Sequence, residues 1–236
     1  MKKRYSFLTW ILCTVAAVVS LSAQEKGESI VIGSIVKFQS KIPGQERRIF
    51  ISLPDGYTDS RERDPVLYCL TLEDGLEMHY ASGGADRFLE HLGKEVVPFI
   101  DAEYRTMDLR IFWGHSIVGA LGIYGFLKTP GLFHAYVLSS PYFIYDGDGQ
   151  YLLKNMESFL KKRTSQKNFL NLTVGNEPEL KPSIESFVAK LEAMKPAGVE
   201  WRYSVKQNEN HRSVMAVILT EGLRSVFSDW KGRPSR

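Results

Sequence analysis

Short, mainly apolar runs alternate along the chain with segments in which apolar residues recur every three or four positions. The short runs are typical of strands and the longer periodic segments of amphipathic helices. The predicted strands are residues 30–38, 48–53, 66–70, 110–113, 135–140, 168–174 and 199–206, and the predicted helices are residues 85–105, 117–128, 150–163, 183–194 and 213–230. This alternation indicates an α/β fold, in which about seven strands form a mostly parallel sheet covered on both faces.

Two features modify this pattern locally. The first two predicted strands alternate only partially, and Gly44 lies between them in a turn-like stretch, so we expect an antiparallel hairpin at the N-terminal side. Pro98 lies inside the predicted helix of residues 85–105 and should kink it, because proline cannot donate the helical hydrogen bond.

The first 23 residues have the features of a secretory signal peptide. Lys2, Lys3 and Arg4 precede an apolar run, residues 7–19, and small residues follow up to Ala23. The run is shorter than the roughly 20 residues that span a bilayer, although an uncleaved anchor is the alternative. We therefore expect export to the periplasm or the medium, with residues 24–236 forming a single domain that keeps no membrane association.

The charge balance argues against nucleic acid as a partner. The chain of 236 residues has a net charge of +3, but the three basic residues of the predicted signal account for all of it. The remaining mixture of signs gives no electrostatic reason to bind a polyanion. Cys69 is the only cysteine outside that segment, which excludes an internal disulfide, and we expect it to be a small buried apolar residue.

Ser116 is the candidate nucleophile. Gly114-His115-Ser116 joins a predicted strand directly to a predicted helix, which is the context of a nucleophile elbow. Such a turn presents the hydroxyl above the sheet edge, and the Ile117 N–H at the start of the helix can donate to a developing oxyanion. The alternative is an ordinary serine that caps the helix.

A serine hydroxyl needs a base, and that base needs an orienting acid. His211 follows the last predicted strand, and Glu177 and Glu179 follow the preceding one, so both loops lie at the carboxyl edge of the sheet, where α/β proteins bind ligands. The alternatives are a surface histidine and a solvated acidic loop. The order serine, acid, histidine matches the α/β-hydrolases. No metal-binding motif accompanies these residues, so we expect neither a metal nor another cofactor.

These residues resemble the esterase D family of α/β-hydrolases, which includes siderophore esterases. The matching segments are IFISLPDGY (49–57), PVLYCL (65–70), SGGADRFLEHLGKEVVPFIDAEYRT (82–106), RIFWGHS (110–116), LFHAYVLSSPYF (132–143), LTVGNEPE (172–179) and NHRSV (210–214). The resemblance implies an α/β-hydrolase-like three-layer sandwich that hydrolyses a small-molecule ester through an acyl-enzyme. Ser116 would be the nucleophile, His211 the general base, and a carboxylate within residues 175–179 the orienting acid.

The chain departs from the family pattern at two places. Val118 occupies a position that is usually glycine, where extra volume costs roughly 1–3 kcal/mol unless the backbone moves. A helix and a strand are missing after residues 65–70, so the family's second oxyanion donor would fall at Thr71 or Leu72. We expect the hairpin to close this gap by pairing residues 48–53 with residues 65–70, because each unpaired buried backbone group costs roughly 1–3 kcal/mol.

Two functions are consistent with these observations. The first is an exported serine esterase, and the second is a non-catalytic or degraded paralogue that retains the fold and a capacity to bind ligands. A hairpin that failed to pair with residues 65–70 would favour the second. The sequence leaves the acyl group, the alcohol and the oligomeric state open.

Overall fold

The computed structural model describes residues 31–42, 44–70, 84–143, 151–163 and 167–231. The predicted signal peptide, residues 1–23, and the candidate oxyanion residues Thr71 and Leu72 lie outside the described residues. Strands within them are β1 (Ser34–Gln39), β2 (Glu46–Ile51), β3 (Asp64–Cys69), β4 (Thr106–His115), β5 (Ala135–Ser139), β6 (Asn168–Val174) and β7 (Val199–Val205). Helices are α1 (Gly84–His91), α2 (Val97–Glu103), α3 (Ser116–Lys128), α4 (Tyr151–Lys161), α5 (Lys181–Met194) and α6 (Val214–Ser228), and a π-helical turn (Leu92–Val96) joins α1 to α2.

Strands β3 to β7 form one parallel sheet in which the spatial order is the chain order. Phe112 of β4 pairs with Tyr68 of β3 on one side and with Tyr136 of β5 on the other. Every residue of β5 and β6 is buried, as expected for apolar runs in a sheet that is covered on both faces. The parallel α/β sheet and the antiparallel hairpin predicted from the alternation of strands and helices are therefore confirmed, but the parallel sheet has five strands rather than about seven.

Successive side chains of the central strands enter two different cores, because neighbouring residues of a strand point to opposite faces. Phe112 and Leu138 join the larger core, to which helices α1 to α5 contribute. Ile111 and Val137 join a smaller core that includes Ile218 of α6. The molecule thus has three layers, with α6 on one face of the sheet and the other helices on the opposite face.

A π-helical turn precedes Pro98, the residue at which the sequence predicts a kink. A proline inside an α-helix clashes with the carbonyl four residues before it. Here Pro98 follows the turn Leu92–Val96, in which the Val97 N–H donates to the carbonyl of Leu92, five residues earlier. The wider turn changes the backbone path just before the proline, which is a recognised cause of helix kinks.

The expected pairing of the hairpin with the sheet is wrong. Strands β1 and β2 pair with each other, with Ile35 opposite Phe50, and form a separate two-stranded sheet. No strand among the described residues pairs with the outer edge of β3. The prediction assumed a strand buried on both faces, but Val66 and Leu67 are only half-buried, which lowers the cost of free backbone groups. Cys69 is exposed at the end of this strand, so its predicted burial is also wrong.

A polar cluster of Ser40, His91 and Glu95 holds the hairpin against the helical segment instead. The Ser40 hydroxyl donates to Glu95 Oε2, and His91 Nδ1 lies 2.7 Å from the same oxygen. The Lys41 N–H donates to Glu95 Oε1 at 2.8 Å, and the Phe38 ring centroid lies 6.0 Å from that of His91. Burial opposes ionisation of Glu95, but these hydrogen bonds outweigh it and lower its pKa to about 2. The hairpin is therefore attached through a charged acceptor.

Glu95→Gln is expected to destabilise the fold at neutral pH by about 1–3 kcal/mol, because buried donors lose a charged acceptor. The folded-state pKa of Glu95 is lowered, so its contribution is complete above about pH 4.5 and disappears as the pH falls towards 2. Urea unfolding of wild type and variant at pH 7, 5 and 3 measures this difference, which should shrink at pH 3. Glu90→Gln, which removes an exposed partner of Lys94, is the matched control. An identical pH dependence of the two variants would refute the proposed attachment.

Candidate active site

A sharp turn at Ser116 connects the sheet to helix α3. Strand β4 ends at His115 and α3 begins at Ser116, with no residue between them. Ser116 has φ of 57°, a left-handed conformation that persists in a non-glycine residue only when its surroundings impose it. Its carbonyl accepts a hydrogen bond from the Tyr142 N–H at 3.0 Å, which ties the turn to the chain after β5. The local geometry is that of a nucleophile elbow.

Glycines allow helix α3 to lie close to the sheet at this turn. A Cβ on Gly114 would lie 2.7 Å from the Val118 carbonyl oxygen, and one on Gly119 would lie 3.1 Å from a proline after β5. Val118, at the position that is usually glycine in the esterase D family, is 3% exposed and packs into the larger core. The Ser116 hydroxyl remains within hydrogen-bonding distance of a histidine, so the valine is accommodated without moving the hydroxyl away.

Ser116, His211 and Glu177 form a continuous hydrogen-bonded chain. His211 Nε2 lies 3.1 Å from Ser116 Oγ, and His211 Nδ1 lies 2.5 Å from Glu177 Oε1. Ser116, His211 and Glu177 lie after β4, β7 and β6, respectively. They meet because these strands are parallel and share one carboxyl edge. Since a carboxylate can only accept, Nδ1 carries the proton and Nε2 is free to accept from the serine.

The environment of Glu177 keeps its carboxyl group ionised. Glu177 is 3% exposed, and burial opposes its ionisation. The Ser140 hydroxyl donates to Oε2, the Gly175 N–H donates to the same oxygen at 2.8 Å, and His211 bonds the other oxygen. Together these bonds outweigh burial and lower the pKa of Glu177. Of the two acids that the sequence left open, the structure brings Glu177 to His211 and leaves Glu179 exposed.

The loop that carries His211 is closed by reciprocal hydrogen bonds. Asn210 Oδ1 accepts from the Ser213 N–H at 3.1 Å, and Ser213 Oγ accepts from the Asn210 N–H at 3.0 Å. The arrangement resembles a capping box before α6. The Asn176 N–H donates to the Glu209 carbonyl at 2.7 Å, which joins this loop to the one that carries the acid. The relative position of the histidine and the carboxylate is thus set by backbone contacts as well as by their own bond.

Gly175→Ala is expected to lower both stability and any activity of the site. A Cβ there would lie 2.7 Å from the Glu209 carbonyl oxygen and 3.0 Å from Glu177 Oε2, so the two loops would have to separate. We expect a loss of about 1–3 kcal/mol in unfolding free energy, measured by urea denaturation alongside ester hydrolysis. Gly131→Ala is the control, because a Cβ at Gly131 has no atom within 4 Å. Equal behaviour of the two variants would show that the loops are not closely packed.

Two site residues were missed in the sequence. Ser140 has φ of 44° and donates to the carboxylate of Glu177. His115 packs its ring against His211, with 4.4 Å between ring centroids. Their positions could have indicated this role, because both are polar residues at the carboxyl ends of buried strands. Burial of a polar side chain there is unfavourable unless the side chain belongs to a site or bonds a buried partner.

Of the three backbone N–H groups predicted to bind the oxyanion, only that of Ile117 lies in the described residues. The Ile117 N–H belongs to the first turn of α3, whose amides have no intrahelical acceptor. Thr71 and Leu72, predicted as the second donors, lie outside the described residues.

A cavity of about 250 Å³ lies away from Ser116, His211 and Glu177, at the opposite, amino edge of the sheet. It is lined by Lys167, Gly198, Val199, Glu200 and Lys231.

The described residues contain neither a helix that could span a membrane nor a cluster that could bind a metal. None of their helices is long and apolar enough to cross a bilayer. Nor do they contain a group of three or more His, Cys, Asp or Glu side chains that could hold a metal ion.

Comparisons with known proteins agree with the architecture and the motifs. Residues 73–168 match the Esterase family model. Similar solved structures include an IroE-like serine hydrolase from Shewanella oneidensis, at 23% identity and a TM-score of 0.74, covering 84% of this chain and 80% of that one. The BES protein from Bacillus cereus has 20% identity and a TM-score of 0.71, covering 86% of this chain and 98% of that one. Siderophore hydrolase EstB from Aspergillus nidulans has 17% identity and a TM-score of 0.65, covering 89% and 98%.

A search of curated proteins found no match. At these identities the solved structures show the fold, and the family model shows a resemblance over residues 73–168. The resemblance to esterases seen in the motifs is therefore confirmed: residues 73–168 match the Esterase family model, within a chain that has an α/β-hydrolase-like fold.

Proposed function

We propose that this protein is an exported serine esterase, which hydrolyses a carboxylic ester of a small molecule through an acyl-enzyme. The observation that carries the proposal is the hydrogen-bonded chain from Ser116 through His211 to Glu177 at a strained strand-to-helix turn. The Esterase match over residues 73–168 supports the same reaction class. Export rests on the features of residues 1–23, and N-terminal sequencing of exported protein, expected to begin at Gln24, tests it.

The proposed reaction follows from the positions of the three side chains. Ser116 Oγ attacks the ester carbonyl carbon and passes its proton to His211 Nε2. Glu177 stabilises the resulting imidazolium through Nδ1, and the Ile117 N–H donates to the tetrahedral oxyanion. The intermediate collapses, and the departing alkoxide takes the proton from His211. Water then attacks the acyl-enzyme with His211 again as base, releasing the acid and restoring the serine hydroxyl.

The substrate is proposed only as a chemical class. A half-exposed histidine beside a hydroxyl at the sheet edge is accessible to a small ester, and no cofactor is required for this chemistry. Because EstB is described as a siderophore hydrolase, a siderophore ester is the first natural substrate to test.

A non-catalytic or degraded paralogue is the alternative, and one observation favours it. The hairpin forms its own sheet, which is the outcome expected of a chain that has lost part of the family architecture. Against this, the lost pairing concerns the outer edge of β3, whereas the three side chains are supported by β4, β5, β6 and β7. We therefore favour catalysis.

Covalent labelling by a fluorophosphonate probe tests the proposal, because the probe reacts only with an activated serine. We expect labelling of the purified protein, an adduct on the peptide that contains Ser116, and hydrolysis of p-nitrophenyl acetate. A folded protein that shows neither labelling nor hydrolysis would overturn the proposal and support the paralogue.

A further inference from the structure

The ring of His115, the residue before Ser116, packs against the ring of His211. The two ring centroids are 4.4 Å apart, and the ring planes are inclined by 46°. His115 is itself held on another side, since its Nδ1 lies 3.1 Å from Ser139 Oγ. Ser139 is fully buried at the end of β5. The ring of His115 is therefore fixed by the two adjacent strands β4 and β5.

This contact restricts a motion that the other contacts of His211 leave open. Glu177 is hydrogen-bonded to Nδ1 of His211 and Ser116 to Nε2, so the two bonds hold the ring at its two nitrogen atoms. A ring held at two such points can still turn about the line that joins them, and the His211 side chain is 40% exposed. The His115 ring, packed against the His211 ring with its centroid 4.4 Å away, opposes this rotation. In an enzyme, a small misalignment of the base can cost up to about 100-fold in rate.

We propose that His115 is a positioning residue, whose ring packs against that of His211 and keeps Nε2 directed at the Ser116 hydroxyl. The inference rests on the proposed esterase function and adds a residue to it. His115 touches none of the reacting atoms and acts through His211.

The electrostatics of the pair are consistent with this role. Burial lowers the pKa of His115, and the nearby charge of His211 lowers it further, whereas Glu177 and Ser139 act in the opposite direction without cancelling the shift. His115 is therefore neutral when His211 accepts the proton from Ser116. A neutral ring supports the imidazolium without the repulsion that a second positive charge would produce.

Three variants separate the ring of His115 from its polar contact. His115→Phe keeps an aromatic ring and loses the bond to Ser139. His115→Ala removes both, and His115→Asn keeps a polar group without a ring and serves as a second ringless variant if the alanine variant does not fold. We expect the ringless variants to lose roughly 10- to 100-fold in kcat on p-nitrophenyl acetate with KM nearly unchanged, and the phenylalanine variant to recover to within about threefold of wild type.

His134→Ala is the matched control, because His134 is a histidine outside the site that is more buried than His115. It shows how far loss of a buried imidazole by itself changes kcat, with thermal unfolding followed for every variant. Ringless variants with wild-type kcat, or a phenylalanine variant no better than alanine, would overturn the proposal.

A second readout does not depend on activity. The proton on His211 Nδ1 should give a downfield NMR signal that is present in wild type and His115→Phe and absent or broadened in the ringless variants, with Glu177→Gln used to assign it. If the NMR signal differs among wild type and variants in this way but wild type does not hydrolyse the ester, the esterase proposal fails and the positioning contact stands. If the signal is unchanged in the ringless variants, the positioning role fails whatever the activity.

Discussion

Replacing Ser116 by alanine is expected to abolish ester hydrolysis and fluorophosphonate labelling while leaving thermal unfolding nearly unchanged. The hydroxyl supplies the atom that forms the acyl bond, and removal of a nucleophile of this type lowers kcat by roughly 10⁴-fold or more. Stability should change little, because alanine at φ of 57° bears much the same backbone strain as serine and the lost bond to His211 is partly exposed. Hydrolysis of p-nitrophenyl acetate and circular dichroism melting measure the two effects.

Ser186→Ala is the matched control for this variant. Ser186 is an exposed serine of α5 whose hydroxyl bonds only locally, to the Pro182 carbonyl at 2.8 Å. It should keep full activity and labelling. Full activity in the Ser116→Ala variant would remove Ser116 from the mechanism and direct attention to another nucleophile.

Glu177→Gln is expected to lower kcat by about 10²- to 10⁴-fold with the protein still folded. The lowered pKa of Glu177 keeps it a carboxylate at neutral pH, so it can hold the Nδ1 proton of His211 and stabilise the imidazolium. An amide is uncharged and can present its NH₂ group to Nδ1, which favours the wrong tautomer. The variant also leaves the donors from Ser140 and Gly175 with a weaker acceptor, so a moderate loss of stability should accompany the loss of rate.

Glu179→Gln provides the comparison. Glu179 lies two positions further along the same loop and is exposed, so this variant should retain wild-type kcat and stability. Kinetics at a temperature at which both variants are folded distinguish the two acids. A larger loss of rate in Glu179→Gln than in Glu177→Gln would contradict the hydrogen-bonded chain described above.

The strands were predictable where burial is complete. Strand β6 begins and ends as predicted from its apolar run, because every one of its residues is buried and the pattern is unambiguous. Strand β4 is longer than predicted and includes Thr106 and Asp108, which are polar. Their extended conformation comes from pairing with β3, where Asp64 lies opposite Thr106. The amino-acid composition of this segment does not indicate that pairing, so it could not be predicted from the sequence.

The hairpin illustrates the opposite limit. Its two strands follow from their own sequence, but its location depends on a hydrogen-bonded contact between Ser40 and Glu95, which are 55 positions apart. A serine and a glutamate are common surface residues, so neither signals a buried attachment. The general rule that sheets avoid unpaired edges therefore led to the wrong neighbour for β2, since β3 proved half-buried.

For the site, the sequence by itself determined the kinds of residues and their order. A glycine, a serine and a helix directly after a buried strand, with an acid and a histidine after later strands, required only local pattern and the rule that parallel strands end at one edge. The tertiary structure alone decided that Glu177 rather than Glu179 meets His211, that Ser140 bonds this carboxylate, and that His115 packs on the histidine. These choices depend on side-chain directions and on the distances between loops that are far apart in the chain. Such distances are set by the packing of the whole sheet and its helices.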